Sequence, residues 1–182
     1  RISKEVDATE TMIERTEQRL GLKPDHIAGD VAYGTGALLG KLVERGITPH
    51  IPVWDRTEAA ADGKFTRAEF TYDSERDLYI CPGGKELKTS GTVHDGTTIK
   101  YIAKRSDCRQ CPLKPQCTTG RERRVSTDVN QEARDYTQAL METDAYRQSN
   151  IDRKQIERLF GEAKSQLSMT RLRLRGLSGA RD

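Results

Sequence analysis

The chain has 182 residues and a formal net charge of +3, room for one ordinary domain or for a core with a sizeable insertion. That charge is too small to argue for nucleic acid by itself, and 34% hydrophobic against 32% charged residues implies a modest core under a heavily charged surface. No apolar run approaches the roughly 20 residues that span a bilayer, and the charged opening Arg1 to Glu5 is not a signal peptide, so no membrane partner is expected and the cytoplasm is the expected location. The chain opens without Met, as a piece of a longer chain would.

Three blocks follow in order. In residues 1–54, Asp7 reads as the cap of a helix through Leu20, with Glu10 completing a capping box and Met12, Ile13 and Leu20 on an irregular apolar face. Lys23-Pro24-Asp25 is a turn, and His26 to Asp30 a short buried strand ending on a carboxylate. Tyr33 to Gly36 reads as a turn, Ala37 to Glu44 as a helix and Ile47 to Val53 as a second strand. The alternation implies an α/β layer with parallel strands. Residues 55–128 are polar, rich in Gly and Thr, and hold all four cysteines. Phe70-Thr71-Tyr72 with Leu78-Tyr79-Ile80 reads as a hairpin, and Thr98 to Ala103 as another strand, so the block is expected to be a small β-rich insertion. Residues 129–182 read as helical, with one helix from Gln131 to Tyr146 and a longer one from about Ser149 to Gln166.

Charge is uneven along the chain. From Arg147 to Asp182 there are nine Lys and Arg against four acids, which makes the C-terminal segment the basic part. Arg171, Arg173 and Arg175 alternate with leucines there. They are either a solvated edge or contacts to DNA phosphates, which position a duplex without reading its sequence. Lys104, Arg105, Arg109, Lys114, Arg121, Arg123 and Arg124 would extend that surface, while His26, His50 and His94 have no metal-ligand spacing.

Cys81, Cys108, Cys111 and Cys117 cluster in a chain without an export signal, which favours a metal or free thiols over disulfides. Four thiolates can close a tetrahedral Zn²⁺ site, but this set is not two regular Cys-x2-Cys pairs, and four reduced thiols are the competing reading.

On the long helix, Ile156, Leu159, Phe160, Ala163 and Leu167 share one stripe at helical spacing, expected to pack on a core. Arg153, Glu157 and Lys164 fall on a neighbouring face. By spacing alone that is an ordinary Arg–Glu pair on a helix, worth a few tenths of a kcal/mol. Asp30, at the carboxyl end of a strand, is placed where α/β layers bind ligands, though an Asp there also caps the next turn.

Arg153-x3-Glu157-x6-Lys164, within Ile156-Glu157-Arg158-Leu159-Phe160-Gly161-Glu162-Ala163-Lys164 and followed by Leu174-Arg175-Gly176-Leu177, resembles the catalytic helix of bacterial insertion-sequence DDE transposases with a Tyr-Arg-Glu-Lys signature. Asn150 stands where that signature has Tyr; Tyr146 lies four residues upstream. Asp30-x-Ala32-Tyr33-Gly34 resembles the segment of the second catalytic Asp, and Tyr79-Ile80-Cys81-Pro82-x-Gly84 with Cys108-x2-Cys111-Pro112-x4-Cys117 resembles the cysteine-rich insertion of one subgroup. The resemblance runs from about Ile27 to Gly179.

It implies a partial RNase H-like α/β core interrupted by the cysteine-rich insertion, and metal-dependent DNA cleavage and strand transfer. Asp30 and Glu157 would hold Mg²⁺ or Mn²⁺, hard cations that prefer oxygen ligands. Tyr33, Arg153, Lys164, Arg171, Arg173 and Arg175 would support the site or bind DNA. The implied partners are double-stranded transposon ends and target DNA, and further copies of the chain in the active complex. Only Asp7 and Asp25 precede Asp30, and neither ends a strand, so the first catalytic Asp is expected before Arg1 and the piece alone is expected to be inactive. The competing reading is a non-catalytic zinc module that docks on nucleic acid or protein.

Overall fold

The computed structural model describes residues 2–54 and 63–166. The chain is built on two sheets. In the first, β1 (His26–Ala28) and β2 (Thr48–His50) pair in parallel, with Ala28 opposite His50. Their connection is α2 (Gly36–Glu44), the crossover helix that parallel pairing requires. In the second sheet, β3 (Thr71–Asp73), β4 (Leu78–Ile80), β5 (Glu86–His94), β6 (Thr98–Ala103) and β7 (Arg124–Asp128) form an antiparallel meander in chain order. Two short helices, α3 (Arg105–Arg109) and α4 (Lys114–Cys117), lie in the cysteine-bearing connection between β6 and β7.

Each sheet has its own apolar cluster. Leu38, Leu39 and Leu42 of α2 bury with Ile13, Ile47, Ile51, Val53 and Ala133 around the parallel pair. Phe70, Tyr79, Leu87, Tyr101 and Val125 bury on one face of the meander with Cys117. This mixed α/β arrangement is compatible with a partial RNase H-like fold; the β3–β4 hairpin forms as expected, and the parallel strands fall inside the two expected spans but are only three residues each, the first of them partly exposed.

Helices α5 (Gln131–Leu140) and α6 (Asp144–Gln166) return the chain to the parallel pair. α5 packs on α2 and β2, and α6 on β1 and β2. Close approach at α2 depends on two glycines four residues apart on one face. A side chain at Gly36 would start 2.3 Å from the Asp128 carboxylate, and one at Gly40 would start 2.5 Å from Asn130 Oδ1. The junction of β7 and α5 is thereby fitted against α2.

Several expectations need correction. The first helix, α1 (Ile2–Leu20), runs through Asp7 instead of starting there, and Met12 and Leu20 are exposed while Ile13 is buried. α1 is tied to α2 and its C-terminal cap by ion pairs from Lys41 to Glu10 and from the capping Arg45 to Glu17. Val31–Tyr33 is a turn of 3-10 helix, and the next helix begins at Gly36. One helix was expected from Gln131 to Tyr146; it ends at Leu140, and α6 begins at Asp144 because the Thr143 hydroxyl accepts from Tyr146 N at 3.2 Å and caps a new start. The stripe Ile156, Leu159 and Phe160, expected against a core, is more than half exposed. At about 1.5 Å per residue, the 23 residues of α6 extend ~35 Å, whereas two strands cover only about 10 Å of width. The first turns of α6 reach the sheet and the rest runs past it. Leu167 lies outside the described residues.

Candidate active site and the cleft beside it

β1 ends at Ala28, and two residues later Asp30 turns the chain. Its Oδ1 accepts from Ala32 N at 2.8 Å and caps the 3-10 turn, leaving the carboxylate exposed. The capping reading is therefore correct, and it coexists with an exposed acid at a strand's carboxyl end. Because β1 and β2 are parallel, the residues after His50 leave the sheet at the same edge. Tyr33 is half-buried against the apolar cluster of the parallel pair.

α6 is anchored by groups that spacing did not single out. His50 Nδ1 and Ser149 Oγ, both buried, hydrogen-bond at 2.6 Å. Tyr146 packs its edge on the His50 ring, centroids 6.0 Å apart, so this tyrosine is interior. The ring of His26 lies tilted against that of His50, centroids 4.9 Å apart. Burial, then the nearby His26, lowers the pKa of His50 below the ordinary histidine value.

The sign of the resulting pH effect is fixed. A neutral His50 costs nothing above the ordinary pKa; below it the unfolded chain takes up a proton that the folded chain resists, so stability falls as pH falls. Chemical denaturation is expected to show a loss between roughly pH 7.5 and pH 5.5. His50→Gln should reduce that loss while costing about 1 kcal/mol at neutral pH for the missing bond. An unchanged pH slope in the variant would assign the effect to other groups.

Further along α6, Arg153 Nη1 donates to Glu157 Oε1 at 2.5 Å. The Arg153 side chain is 25% exposed and its buried Nε has no partner among the described residues; Glu157 is 57% exposed. Lys164 is exposed and makes no ion pair among the described residues. The two carboxylates thus belong to adjoining elements: Asp30 just beyond β1, and Glu157 on the helix that packs on β1. No group of three or more His, Cys, Asp or Glu side chains is arranged to hold a metal ion among the described residues. Arg171, Arg173 and Arg175 lie outside them.

All four thiols are reduced and line one small cavity of about 30 Å³. Cys81 Sγ accepts from Lys85 N at 3.3 Å, and Cys108 Sγ accepts from Arg123 N at 3.5 Å. A side chain at Gly83 would touch the sulfurs of both Cys111 and Cys81. Burial raises the pKa of the Cys117 thiol; Arg123 opposes this, and the other three cysteines add to it.

Not every basic residue around the cysteines faces outward. Arg123 is turned inward, donating to Cys117 O at 2.9 Å and Phe65 O at 2.7 Å, with its guanidinium 5.1 Å from the Phe70 ring centroid. Arg105 and Arg124 pair with Glu122.

Between the two sheets lies a cleft of about 1020 Å³, bounded by Val31 to Ala37 on one side, Arg123 to Asp128 on the other, and Trp54 and Arg134. Arg134 fastens one wall: Nη1 donates to Gly34 O and Nη2 to Trp54 O, each at 3.1 Å. The sequence held no signal for this clamp, because it joins residues 80 and 100 positions apart.

Residues 80–181 match the family model described as a transposase DDE domain. No curated protein and no solved structure matches the chain. The matched span begins within β4, takes in all four cysteines and covers the whole of α6; Asp30 precedes it. More than half of the length is covered, so the chain belongs to the transposase DDE domain family, of which it carries the C-terminal part.

Proposed function

We propose that the chain supplies two carboxylates, Asp30 and Glu157, to the metal site of a DNA transposase that cleaves and joins strands at transposon ends. The observation that carries this reading is that α6, the helix that bears Glu157 further along, packs by its first turns on the strand whose exit bears Asp30. The donor set fits hard cations: both carboxylates are exposed, and neither is committed to a buried ion pair. Mg²⁺ or Mn²⁺, when bound, supplies the charge that stabilises the attacking and leaving oxygens of an in-line displacement. Arg153 holds Glu157 in one orientation, while Lys164, with Arg171, Arg173 and Arg175, meets DNA phosphates. In this reading residues 1–54 and 129–182 form the core, residues 55–128 are the insertion, and active complexes contain more than one copy.

Fe²⁺ replacing Mg²⁺ and driving hydroxyl-radical cleavage of the backbone tests the shared site. Cuts are expected together near Asp30 and near Glu157, and Asp30→Asn should remove both. Cuts at one position alone would refute sharing.

The shared cavity and the two N–H···S bonds favour a second component of the reading, a structural Zn²⁺ on Cys81, Cys108, Cys111 and Cys117. It requires the thiols to lose their protons and turn toward a common centre. Protein purified without chelator is expected to carry about one zinc per chain, and stripping it should lower the melting temperature. Absence of zinc after growth in zinc-supplemented medium would leave four reduced thiols. It would also remove the competing reading of a non-catalytic zinc module.

A further inference from the structure

Arg123, just before β7, ties the meander to the cavity of the four thiols. Its backbone N–H donates to Cys108 Sγ at 3.5 Å, Nη1 holds the carbonyl of Cys117, and Nη2 holds that of Phe65. Phe65 is fixed from its other side too, since its N–H donates to Gln116 O at 2.9 Å. The guanidinium lies against Phe70, and the residue lines the cavity of the sulfurs. Its third nitrogen is unused: Nε is buried and has no hydrogen-bond partner among the described residues.

The charge is unpaired as well among the described residues. Glu122, next in the chain, pairs with Arg105 and Arg124, and Glu69, whose carboxyl feels the Arg123 charge, is hydrogen-bonded to Thr66. A guanidinium stays protonated at any working pH, so a half-buried cation with one orphaned donor stands beside the sulfurs. An orphaned buried donor is destabilising until it finds an acceptor. Four thiolates around one divalent ion leave a net charge of about −2, which resists burial without a counter-charge and N–H donors to the sulfurs. Lys85 and Lys114 line the cavity too, opposed by Asp107. Of these three cations, Arg123 is the one whose side chain is hydrogen-bonded into the cysteine loop.

We infer that Arg123 positions the cysteine centre and balances its charge: the Nη atoms hold the Cys117 turn and Phe65 in place, and Nε–H is the donor left for a thiolate of the loaded centre. The inference rests on the structural Zn²⁺ reading and adds to it a residue that is not a ligand. Loading the centre gives the orphaned donor an acceptor and the unpaired cation a partner. Metal binding is thereby linked to packing of the meander, because the same guanidinium lies against Phe70 and bonds Phe65, both part of its apolar cluster. A residue needed for packing alone would stabilise the metal-free and loaded forms alike.

Zinc affinity of the full chain is measured by competition with a chromophoric chelator, alongside melting curves of metal-free and zinc-loaded protein and the absorption spectrum with Co²⁺. Arg123→Met is expected to bind zinc roughly 10–100-fold more weakly than the parent. It should also gain less melting temperature on loading, while keeping the Co²⁺–thiolate bands of a four-sulfur site. Arg123→Lys, which retains the charge but not the Nε donor, should recover only part of the affinity. Affinity of Arg123→Met within about twofold of the parent, or an equal loss of stability with and without zinc, overturns the inference and leaves the zinc site standing. Should Arg123→Met fail to fold, Arg123→Lys decides: a severalfold loss of affinity supports the inference, and parental affinity overturns it. A parent chain that binds neither Zn²⁺ nor Co²⁺ overturns the zinc reading and this inference together.

Discussion

Glu157→Gln is expected to lower strand cleavage and strand transfer by the assembled transposase on the order of 10⁴-fold, with the fold left in place. The variant keeps size and shape and removes the charge that would hold a divalent ion. Its structural cost is small, because Glu157 is 57% exposed and its recorded partner is Arg153 on the same helix. Such pairs contribute about 0.3–0.5 kcal/mol, and Gln still accepts a hydrogen bond from the guanidinium. Asp30→Asn should behave alike, since Asn is an equally good cap for the 3-10 turn and can still accept from Ala32 N. Asp30→Ala differs in losing the cap too, at about 1 kcal/mol. Strand-transfer assays on transposon-end DNA in Mg²⁺, with thermal melts on the same preparations, separate chemistry from folding. Activity of either conservative variant within roughly tenfold of the parent would remove that carboxylate from the metal site.

Gly34→Ala is expected to destabilise the protein by about 1–3 kcal/mol, the usual cost of forcing extra atoms into packed structure. A methyl group at Gly34 would start 2.5 Å from Pro52 O and 3.2 Å from Val31 O, both backbone atoms with no rotamer to change. The reason is close approach and not backbone conformation, since Gly34 has φ −73, open to any residue. Relief requires the Asp30 turn and the segment after β2 to separate, and both are fastened by Arg134. Stability in urea should therefore fall, and Trp54 fluorescence should change in the native baseline. A stability loss under about 0.5 kcal/mol with an unchanged native spectrum would mean the turn accommodates the methyl, and would weaken the case that the Asp30–Trp54 geometry is rigid.

The extent to which the sequence was readable follows from how local each signal is. The β3–β4 hairpin and β6 carry dense β-branched and aromatic residues, and were found. β5 was not: only Leu87 of its nine residues is buried, Gly91 interrupts it, and its register shifts between Thr89 and Val93. β7 was read as part of a basic stretch. In the fold its Val125 and Thr127 point inward, and neighbouring Arg123 donates to the backbone of the cysteine loop. The apolar stripe of α6 was visible, but its burial was not decided by periodicity; the width of the surface beneath it was decisive.

By itself, the sequence determined the family, the alternation of helix and parallel strand, the grouping of four cysteines, and the residue types that chemistry at Asp30 and Glu157 would need. Those features reside in adjacent residues or fixed helical spacings, and survive without knowledge of distant contacts. The tertiary structure decided that Asp30 is both cap and exposed acid, that His50 and Ser149 seat α6 on β1 and β2, and that Arg134 joins the Asp30 turn to the backbone of Trp54 along one wall of the cleft. Each depends on groups separated by many residues, brought together by burial and directional hydrogen bonds that no local pattern encodes.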